Sequence, residues 1–591
     1  MECILDNQLI DQVAKQSIKT FDINLLNELS TEVRGFLIHN IAKTGGHIGA
    51  NLGVIELTIA LHYVFDLEKD KLLFDVGHQG YTHKLLTGRE DLFPSLNSIG
   101  GMSRFICPKE SKYDILDASH GGTAVSIGTG IAYANKINNS GSITVAIVGD
   151  GAFVEGMTFE GLNYATQSPL PLLIVINDNG MSIPKNVGGV NHILANKNSA
   201  SDFFKAMGFD YFHIDNGHDL SLSIKVFEQA KQALQNKTTV VHVKTVKGKG
   251  LEIAGSHPYK LHFSMPFDPQ DGTSTSPVPA GKAYTEVIGN TLSQLISKNK
   301  DIFTLTPSTP YASGIDKLLV DFPENGIDVG MAEQQAAGMA AGLAMSHKKV
   351  FLCYQSTFMQ RAMDQIFHDI CFMNLPVTII SSRSGFAGFD SPTHHAIYDL
   401  SYLRGLPNLE IFYAGSSRDL QEMIELRAQT AATKPMIILH PYEAIRCNEQ
   451  EYLRKQPINH NEIIFEGHDG YILSVGNRLA TAIELREKLS LQGKSLGVVN
   501  VRWIKPFQKE SILQLIKETP FVVTLEENVK DAGFGSIVSE LITDNGFSTP
   551  LVRVAIENGY TSTGDKEYLS KLEKIDCASI IKQLNSRNLL S

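Results

Sequence analysis

The feature that most constrains this chain is a pair of polar triplets set one crossover apart. Gly149-Asp150-Gly151 follows the apolar run Ser142 to Val148 (SITVAIV), and 28 residues after Gly149 comes Asn177-Asp178-Asn179, behind the run Leu172 to Ile176 (LLIVI). Two apolar runs joined by a stretch of that length predict a strand, a crossover helix and a parallel strand, which brings both triplets to the carboxyl edge of one sheet. There Asp150 and Asn179 can hold one Mg²⁺ through oxygen atoms while the ion takes two diphosphate oxygens, hard-cation chemistry that needs few protein ligands. The glycines let backbone approach a phosphate. Each triplet alone is an ordinary tight turn after a strand; the conjunction favours a cofactor site.

The same alternation continues along the chain. Thr239 to Lys244 closes a first α/β segment, and a loop rich in Ser, Thr, Pro and Gly, Pro269 to Gly281, reads as a linker. Strands are predicted again at Val350 to Tyr354, Pro376 to Ser381, Leu409 to Tyr413 and Met436 to Leu439, and then stop before a polar stretch, Asn448 to Asn461. A third set follows near Tyr471 to Val475, Leu496 to Val501, Phe521 to Leu525 and Leu551 to Ala555. The expectation is three consecutive α/β domains, 1–275, 276–450 and 451–591, each with a largely parallel sheet. At 591 residues the chain is too long for a single core.

A formal net charge of -11 argues against a nucleic-acid or anionic-membrane binder and leaves small molecules as the expected partners. No apolar run approaches a membrane span. The six cysteines are scattered with no CxxC pair, and the first residues, with Glu2, Asp6 and Asp11, lack a basic region followed by an apolar one. The location expected is the cytoplasm.

Met331-Ala332-Glu333-Gln334-Gln335 opens the stretch AAGMAAGLAM, which reads as a closely packed, buried helix with Glu333 in its first turn. A glutamate there complements the helix dipole. If buried it also needs a partner or a raised pKa, as a proton-sharing contact to an aminopyrimidine nitrogen would require.

Here the residues resemble a known family. GGHIGANLGVIELTIALHYVFD, DVGHQGYTHKLLTGR, SKYDILDASHGGTAVSIGTGIA, GDGAFVEGMTFEGLN, NDNGMSI, DVGMAEQ, STFMQRAMDQIFHD and DLSYLRGLPN are similar to segments of thiamine-diphosphate enzymes of the transketolase group, most closely the 1-deoxy-D-xylulose-5-phosphate synthases. The resemblance spans nearly the whole chain. It implies two thiamine-diphosphate-binding sheets, a transketolase C-terminal-like domain, and a homodimer with the cofactor between the first two domains. Asp150, Asn179 and the Met181 carbonyl are implied as Mg²⁺ ligands, with Gly151 and Ala152 beside the cofactor. His78 and the loop Ser119-His120-Gly121-Gly122 then lie against diphosphate and thiazolium, Glu333 faces the aminopyrimidine and Phe358 packs on its ring. His47, His262 and His394 line the substrate channel, with His47 and His394 as proton handlers; Arg361, Arg383 and Asp390 face substrate. The implied reaction condenses pyruvate with D-glyceraldehyde 3-phosphate to 1-deoxy-D-xylulose 5-phosphate and carbon dioxide, feeding isoprenoid and thiamine precursors.

The acceptor end departs from the family pattern. An arginine expected in a Tyr-Pro-Arg-Gly stretch is absent, the residues being His440-Pro441-Tyr442-Glu443, with Arg446 four residues beyond Tyr442 as one candidate to compensate. Losing one charge-assisted bond to a phosphate weakens binding by roughly 1.5 to 3 kcal/mol. Gln335, Gln355, Ser391-Pro392, Leu251 and Pro108-Lys109 also differ from the pattern, and the stretch from Gly189 to Gly208 is shorter than in the family. Two further readings stay open: the same carboligase chemistry with another, unphosphorylated aldehyde, and a non-catalytic homologue.

Overall fold

The computed structural model describes residues 8–117, 119–234, 237–276, 283–445, 456–557 and 559–590. Its contacts divide the chain into two compact units, 1–278 with 330–332, and 279–329 with 333–591. Among the described residues no helix is long and apolar enough to cross a membrane.

In the first unit five parallel strands form one sheet: β1 (Lys71–Phe74), β2 (Thr144–Gly149), β3 (Leu172–Asp178), β4 (Asp210–Ile214) and β5 (Thr239–Lys244), in the order β1-β2-β3-β5-β4. β2 and β3 are apolar at nearly every position because both faces are covered. Val145, Ile147, Leu173 and Val175 enter a core with helices Ile55–Val64 and Leu220–Ala233. Ala146, Val148, Leu172, Ile174 and Ile176 enter another, with helices Ala124–Ile137 and Gly156–Ala165. The two-residue period of the strand thus sorts one apolar run into two cores. Parallel register pairs Gly149 with Asn177, so the two polar triplets leave the sheet side by side.

The second unit holds two sheets. Strands β6 (Ile302–Thr306), β7 (Gly326–Asp328), β8 (Lys349–Gln355), β9 (Thr378–Ser384), β10 (Glu410–Tyr413) and β11 (Met436–Pro441) are parallel, in the order β10-β11-β9-β8-β6-β7. The other sheet has β12 (Glu462–Phe465), β13 (Gly470–Val475), β14 (Leu496–Val501), β16 (Val522–Val529) and β17 (Leu551–Ile556), in the order β12-β14-β13-β16-β17 with only β12 antiparallel. The short strand β15 (Trp503–Lys505) leaves that domain to pair antiparallel with β10. The α/β class with three mostly parallel sheets is the expected one. The helix Glu333–Met345 differs from expectation: Glu333, Ala336, Ala337, Ala340, Ala341 and Ala344 are buried, whereas Gln335, Gly338, Gly342 and Met345 are exposed. Its small residues serve close packing on one face only.

Arg502, between β14 and β15, joins the two sheets of this unit. It is fully buried, donates to Asp419 Oδ1 at 2.9 Å and to the backbone carbonyls of Pro457 and His460, and lies 3.9 Å from Glu462 Oε2. Removing one partner of a buried ion pair strands the other charge, at a cost of about 3–5 kcal/mol. Arg502→Ala is therefore expected to lower the denaturant midpoint of the second unit, read by the fluorescence of Trp503, the single tryptophan of the chain. An unchanged midpoint would show that this ion pair does not hold the sheets together.

Candidate active site

The Mg²⁺ candidates sit where the β2 and β3 loops meet. The buried Asp150 carboxylate accepts through Oδ2 from the Gly180 N–H at 2.6 Å and from the Asn186 side-chain amide at 2.8 Å. Asn179 Oδ1 accepts from the Met181 N–H at 3.2 Å, an Asx turn that fixes its side chain. Gly151 faces Ser182 so closely that a Cβ there would lie 2.5 Å from the Ser182 Cβ, which is why only glycine fits. Burial, and next the neighbouring Asp178 carboxylate, push the Asp150 carboxyl up to about 8. A bound cation would restore the charged form. Among the described residues no group of three His, Cys, Asp or Glu could hold a metal, so a cation here depends on carboxylate, amide and carbonyl oxygens together. That donor set fits Mg²⁺.

Behind this loop pair stands a group of imidazoles. His47, His78 and His262 have ring centroids 5.1 to 5.6 Å apart, with Phe105 and Phe263 against His47. Asn51 donates to the carbonyls of both His47 and His78, at 2.7 Å each. Lys247 contacts His262 Nδ1 at 3.2 Å and donates to the Ser182 carbonyl, and burial pulls its own pKa down to about 8. Enclosure by protein, and secondly the Lys247 charge, lower the pKa of His78 to about 4 and that of His262 well below its ordinary value. The His78 and His262 rings are neutral at neutral pH. The segment Ser119 to Gly122 is tied to the same place by Asp75, which accepts from Gly122 N–H at 2.7 Å and Ala124 N–H at 2.9 Å. Val76, between Asp75 and the His78 turn, has φ 55, a conformation a β-branched residue adopts only under constraint.

In the second unit the expected residues lie at or just beyond the carboxyl ends of β7, β8 and β9. Glu333 starts its helix, and its Oε2 is buried with no hydrogen-bond partner, 3.7 Å from Arg361 Nε. Burial raises its pKa although Arg361 opposes the shift. The Tyr354 hydroxyl donates to the Glu333 carbonyl at 2.6 Å and holds the helix start to β8. Phe358 and His394 stand edge to face at 5.5 Å, His394 Nδ1 is 3.5 Å from Asp390 Oδ2, and Arg383 Nη1 is 4.0 Å from the same oxygen. Arg383 has φ 66. Of the departures, Gln335 lies on the exposed face of its helix, Gln355 is buried at the end of β8, and Arg446 lies outside the described residues.

The sequence model of the 1-deoxy-D-xylulose-5-phosphate synthase family matches residues 10–203, that of the transketolase pyrimidine-binding domain 280–446, and that of the transketolase C-terminal domain 460–580. 1-Deoxy-D-xylulose-5-phosphate synthase 1 of Geobacter sulfurreducens is 38% identical over 563 residues, 88% of this chain and 87% of its own. The synthase of Halothermothrix orenii is 36% identical over 571 residues, 89% of each chain, and that of Listeria monocytogenes is 37% identical over 532 residues, 88% of this chain and 87% of its own. The chain belongs to the 1-deoxy-D-xylulose-5-phosphate synthase family.

Within this synthase-family chain, first-unit candidates converge on one sheet edge and second-unit candidates on another. Sequence reasoning missed Asp75, Asn186 and Lys247. Asp75 heads the recognisable DVGHQ segment, but Asn186 and Lys247 are 36 and 97 residues from Asp150, and only the folded sheet brings them to it. His440, in place of the family tyrosine, is buried against Tyr284 at 5.9 Å, and burial pulls its pKa down to about 4. Its folded pKa is lower than its unfolded one, so the unfolded chain binds the proton first. The stability contributed by the neutral ring is complete above about pH 6.5 and is lost as pH falls toward 4. Thermal melts at pH 7 and pH 5 are expected to differ less in His440→Asn than in the parent chain; an equal difference would mean that His440 is already solvated when folded.

Proposed function

We propose that this chain condenses pyruvate with D-glyceraldehyde 3-phosphate to give 1-deoxy-D-xylulose 5-phosphate and carbon dioxide, using thiamine diphosphate and Mg²⁺. The observation that carries this reading is family membership over nearly the whole chain, joined to a buried Asp150 loop pair and a buried, hydrogen-bond-poor Glu333 carboxyl. When bound, thiamine diphosphate supplies a nucleophilic carbon and an electron sink.

The chain's own residues have separable tasks. Asp150, Asn179 and the Met181 carbonyl would hold Mg²⁺, and Gly151, Ala152, His78 and the segment from Ser119 to Gly122 would receive the diphosphate and thiazolium end. Glu333 would share a proton with the pyrimidine, and Phe358 would pack on its ring. A carboxyl whose pKa is raised by burial is suited to that sharing, since neither proton position is strongly disfavoured. His262 serves as a neutral hydrogen-bonding group around the donor, and His47 beside it handles a proton. His394, with Asp390 beside it, handles the proton of the acceptor carbonyl, and Arg361 and Arg383 provide positive charge for anionic substrate groups. The family relatives favour the phosphorylated acceptor over the unphosphorylated alternative, and no feature of the site favours a non-catalytic role.

We divide the chain at 275/276 and 450/451 because each sheet's strands otherwise fall within one segment, β15 being the exception. A homodimer is supported by exposed apolar surfaces: Ile127, Tyr133 and Ile137 on one helix of the first unit, and Phe367, Phe372 and Met373 in the second. A cytoplasmic location accords with the free buried thiols Cys353, Cys371 and Cys577.

Purified protein supplied with thiamine diphosphate, Mg²⁺, pyruvate and D-glyceraldehyde 3-phosphate is expected to yield deoxyxylulose phosphate by mass spectrometry. Glu333→Ala should reduce the rate by at least a hundredfold, in the range for removing a general acid–base group. Carbon dioxide release without the five-carbon phosphate would refute the assigned acceptor.

A further inference from the structure

The residues Asn216-Gly217-His218-Asp219 follow β4, and each has its own partner. Asn216 Oδ1 accepts from the His218 N–H at 3.2 Å, and Asp219 accepts from the Leu222 N–H at 2.9 Å and so caps helix Leu220–Ala233. Gly217 donates to the Lys244 carbonyl at 2.8 Å, and a Cβ there would lie 2.5 Å from Val243 Cγ1. The glycine lets this turn lie against the end of β5, which brings the His218 side chain, 3% exposed, to the loop that follows that strand.

His218 Nε2 accepts from the Val246 N–H at 2.9 Å. A backbone N–H can only donate, so Nε2 carries no proton and Nδ1 carries it, donating to Glu56 Oε2 at 2.8 Å. Glu56 stands in the first turn of helix Ile55–Val64 and pairs through its other oxygen with Arg34, which also donates to the carbonyls of Leu52 and Lys249 at 2.9 and 2.7 Å. Burial works against a charged Glu56, but the His218 hydrogen bond and the Arg34 guanidinium outweigh it and hold the carboxyl below its ordinary range. An ionised carboxylate is an acceptor only, and it fixes the tautomer that leaves Nε2 open to Val246.

The loop from Thr245 to Leu251 is thereby held from two sides. Thr245 donates through its hydroxyl to Asn177 Oδ1 at 2.6 Å and through its N–H to the Asp178 carbonyl at 2.9 Å. On the other side His218 takes the Val246 N–H, Arg34 takes the Lys249 carbonyl, and Gly248 donates to the Gly49 carbonyl at 2.8 Å. Val246 is 58% exposed, so its place rests on its backbone and not on apolar packing. Lys247 comes next and turns inward, donating to the Ser182 carbonyl and lying 3.2 Å from His262 Nδ1. An ammonium on a four-carbon stem is aimed only as well as its backbone is held.

We propose that His218 is a positioning residue for the pyruvate half of the reaction: by accepting the Val246 N–H it fixes the loop that keeps Lys247 on the Ser182 carbonyl and beside His262. This rests on the reading that His262 stands by the pyruvate-derived donor. His218 acts through Lys247, and the Glu56–Arg34 pair sets the tautomer it needs.

The test uses the full chain and two variants that divide the imidazole. His218→Gln places an acceptor oxygen where Nε2 was, whereas His218→Asn keeps an N–H toward Glu56 and offers Val246 nothing. By hydrogen–deuterium exchange mass spectrometry, peptides covering 245–251 should exchange about fivefold faster in His218→Asn, the size expected for one neutral hydrogen bond, and within about twofold of the parent in His218→Gln. In steady-state assays His218→Asn should lower kcat/KM for pyruvate by about five- to tenfold and leave the KM for D-glyceraldehyde 3-phosphate within about twofold, with His218→Gln near the parent for both. Equal exchange in the two variants overturns the proposal, as does faster exchange that spreads through helix Ile23–Thr44, or a kinetic loss shared equally by the two substrates. Exchange is read without substrate, so a parent that makes no deoxyxylulose phosphate removes the assigned reaction and leaves the hold of His218 on the loop decided by exchange alone.

Discussion

The first unit depends on a carboxylate held out of water at a sheet edge. Asp150 can be buried there because the β3 loop turns back and offers it an N–H from Gly180 and an amide from Asn186. Those contacts require the two loops to touch, and touching requires Gly151, whose place no larger residue could take beside Ser182. The parallel register of β2 and β3 sets the contact before any side chain acts, because it places Gly149 opposite Asn177. Backbone geometry, a glycine and one desolvated charge therefore determine each other. A bound cation would offset the remaining cost, which shows in the raised pKa that burial and the neighbouring Asp178 carboxylate give Asp150.

How far this was legible follows from which contacts are local. The central strands were readable because apolar runs such as LLIVI have few other fates, and every strand expected on that ground is present. The short strands β1, β4, β6, β7, β12 and β15 were not, since they carry polar or charged residues and their pairing is decided by neighbours. β15 lies two residues beyond the end of β14 yet belongs to another sheet, and no periodicity encodes that. The alanine-rich helix misled in part. Its composition allows close packing on any face, and the sheet chose one, leaving Gly338, Gly342 and Met345 outward. In the site, motif residues were legible one by one, but the Asp75 and Lys247 contacts that orient and polarise them join segments far apart in sequence.

The last sheet, to which sequence reasoning assigned no chemistry, has a mechanical part. Glu527 Oε1 accepts from the Phe386 N–H at 2.5 Å and its other oxygen pairs with Arg478, while Gly385 is so close to Glu527 that a Cβ would collide with it. The His395 ring contacts the Ser562 carbonyl at 2.9 Å, and the Tyr398 hydroxyl donates to the Gly559 carbonyl at 2.6 Å. The loop that carries Asp390 and His394 is thus held from behind by the C-terminal sheet. Glu526 does the same work within its own sheet, capping the helix that begins at Phe534 by accepting from Phe534 and Gly535. Buried carboxylates here are fasteners, each answered by backbone N–H groups or by an arginine.

Directional and long-range contacts constrain a sequence differently. The two loops that carry Asp150 and Asn179 pack against each other through backbone and side-chain contacts, so a substitution there disturbs the fold as well as any group the loops would hold. A terminal phosphate asks for positive charge at roughly the right distance, and electrostatics does not record which element the charge came from. At the end of β11 the Tyr442 ring lies 4.5 Å from the Arg383 guanidinium carbon and 5.8 Å from Lys566 Nζ, so positive charge from two separate elements meets one ring. A long-range, weakly directional interaction constrains only where a charge lies, whereas short, directional contacts constrain which residue can make them.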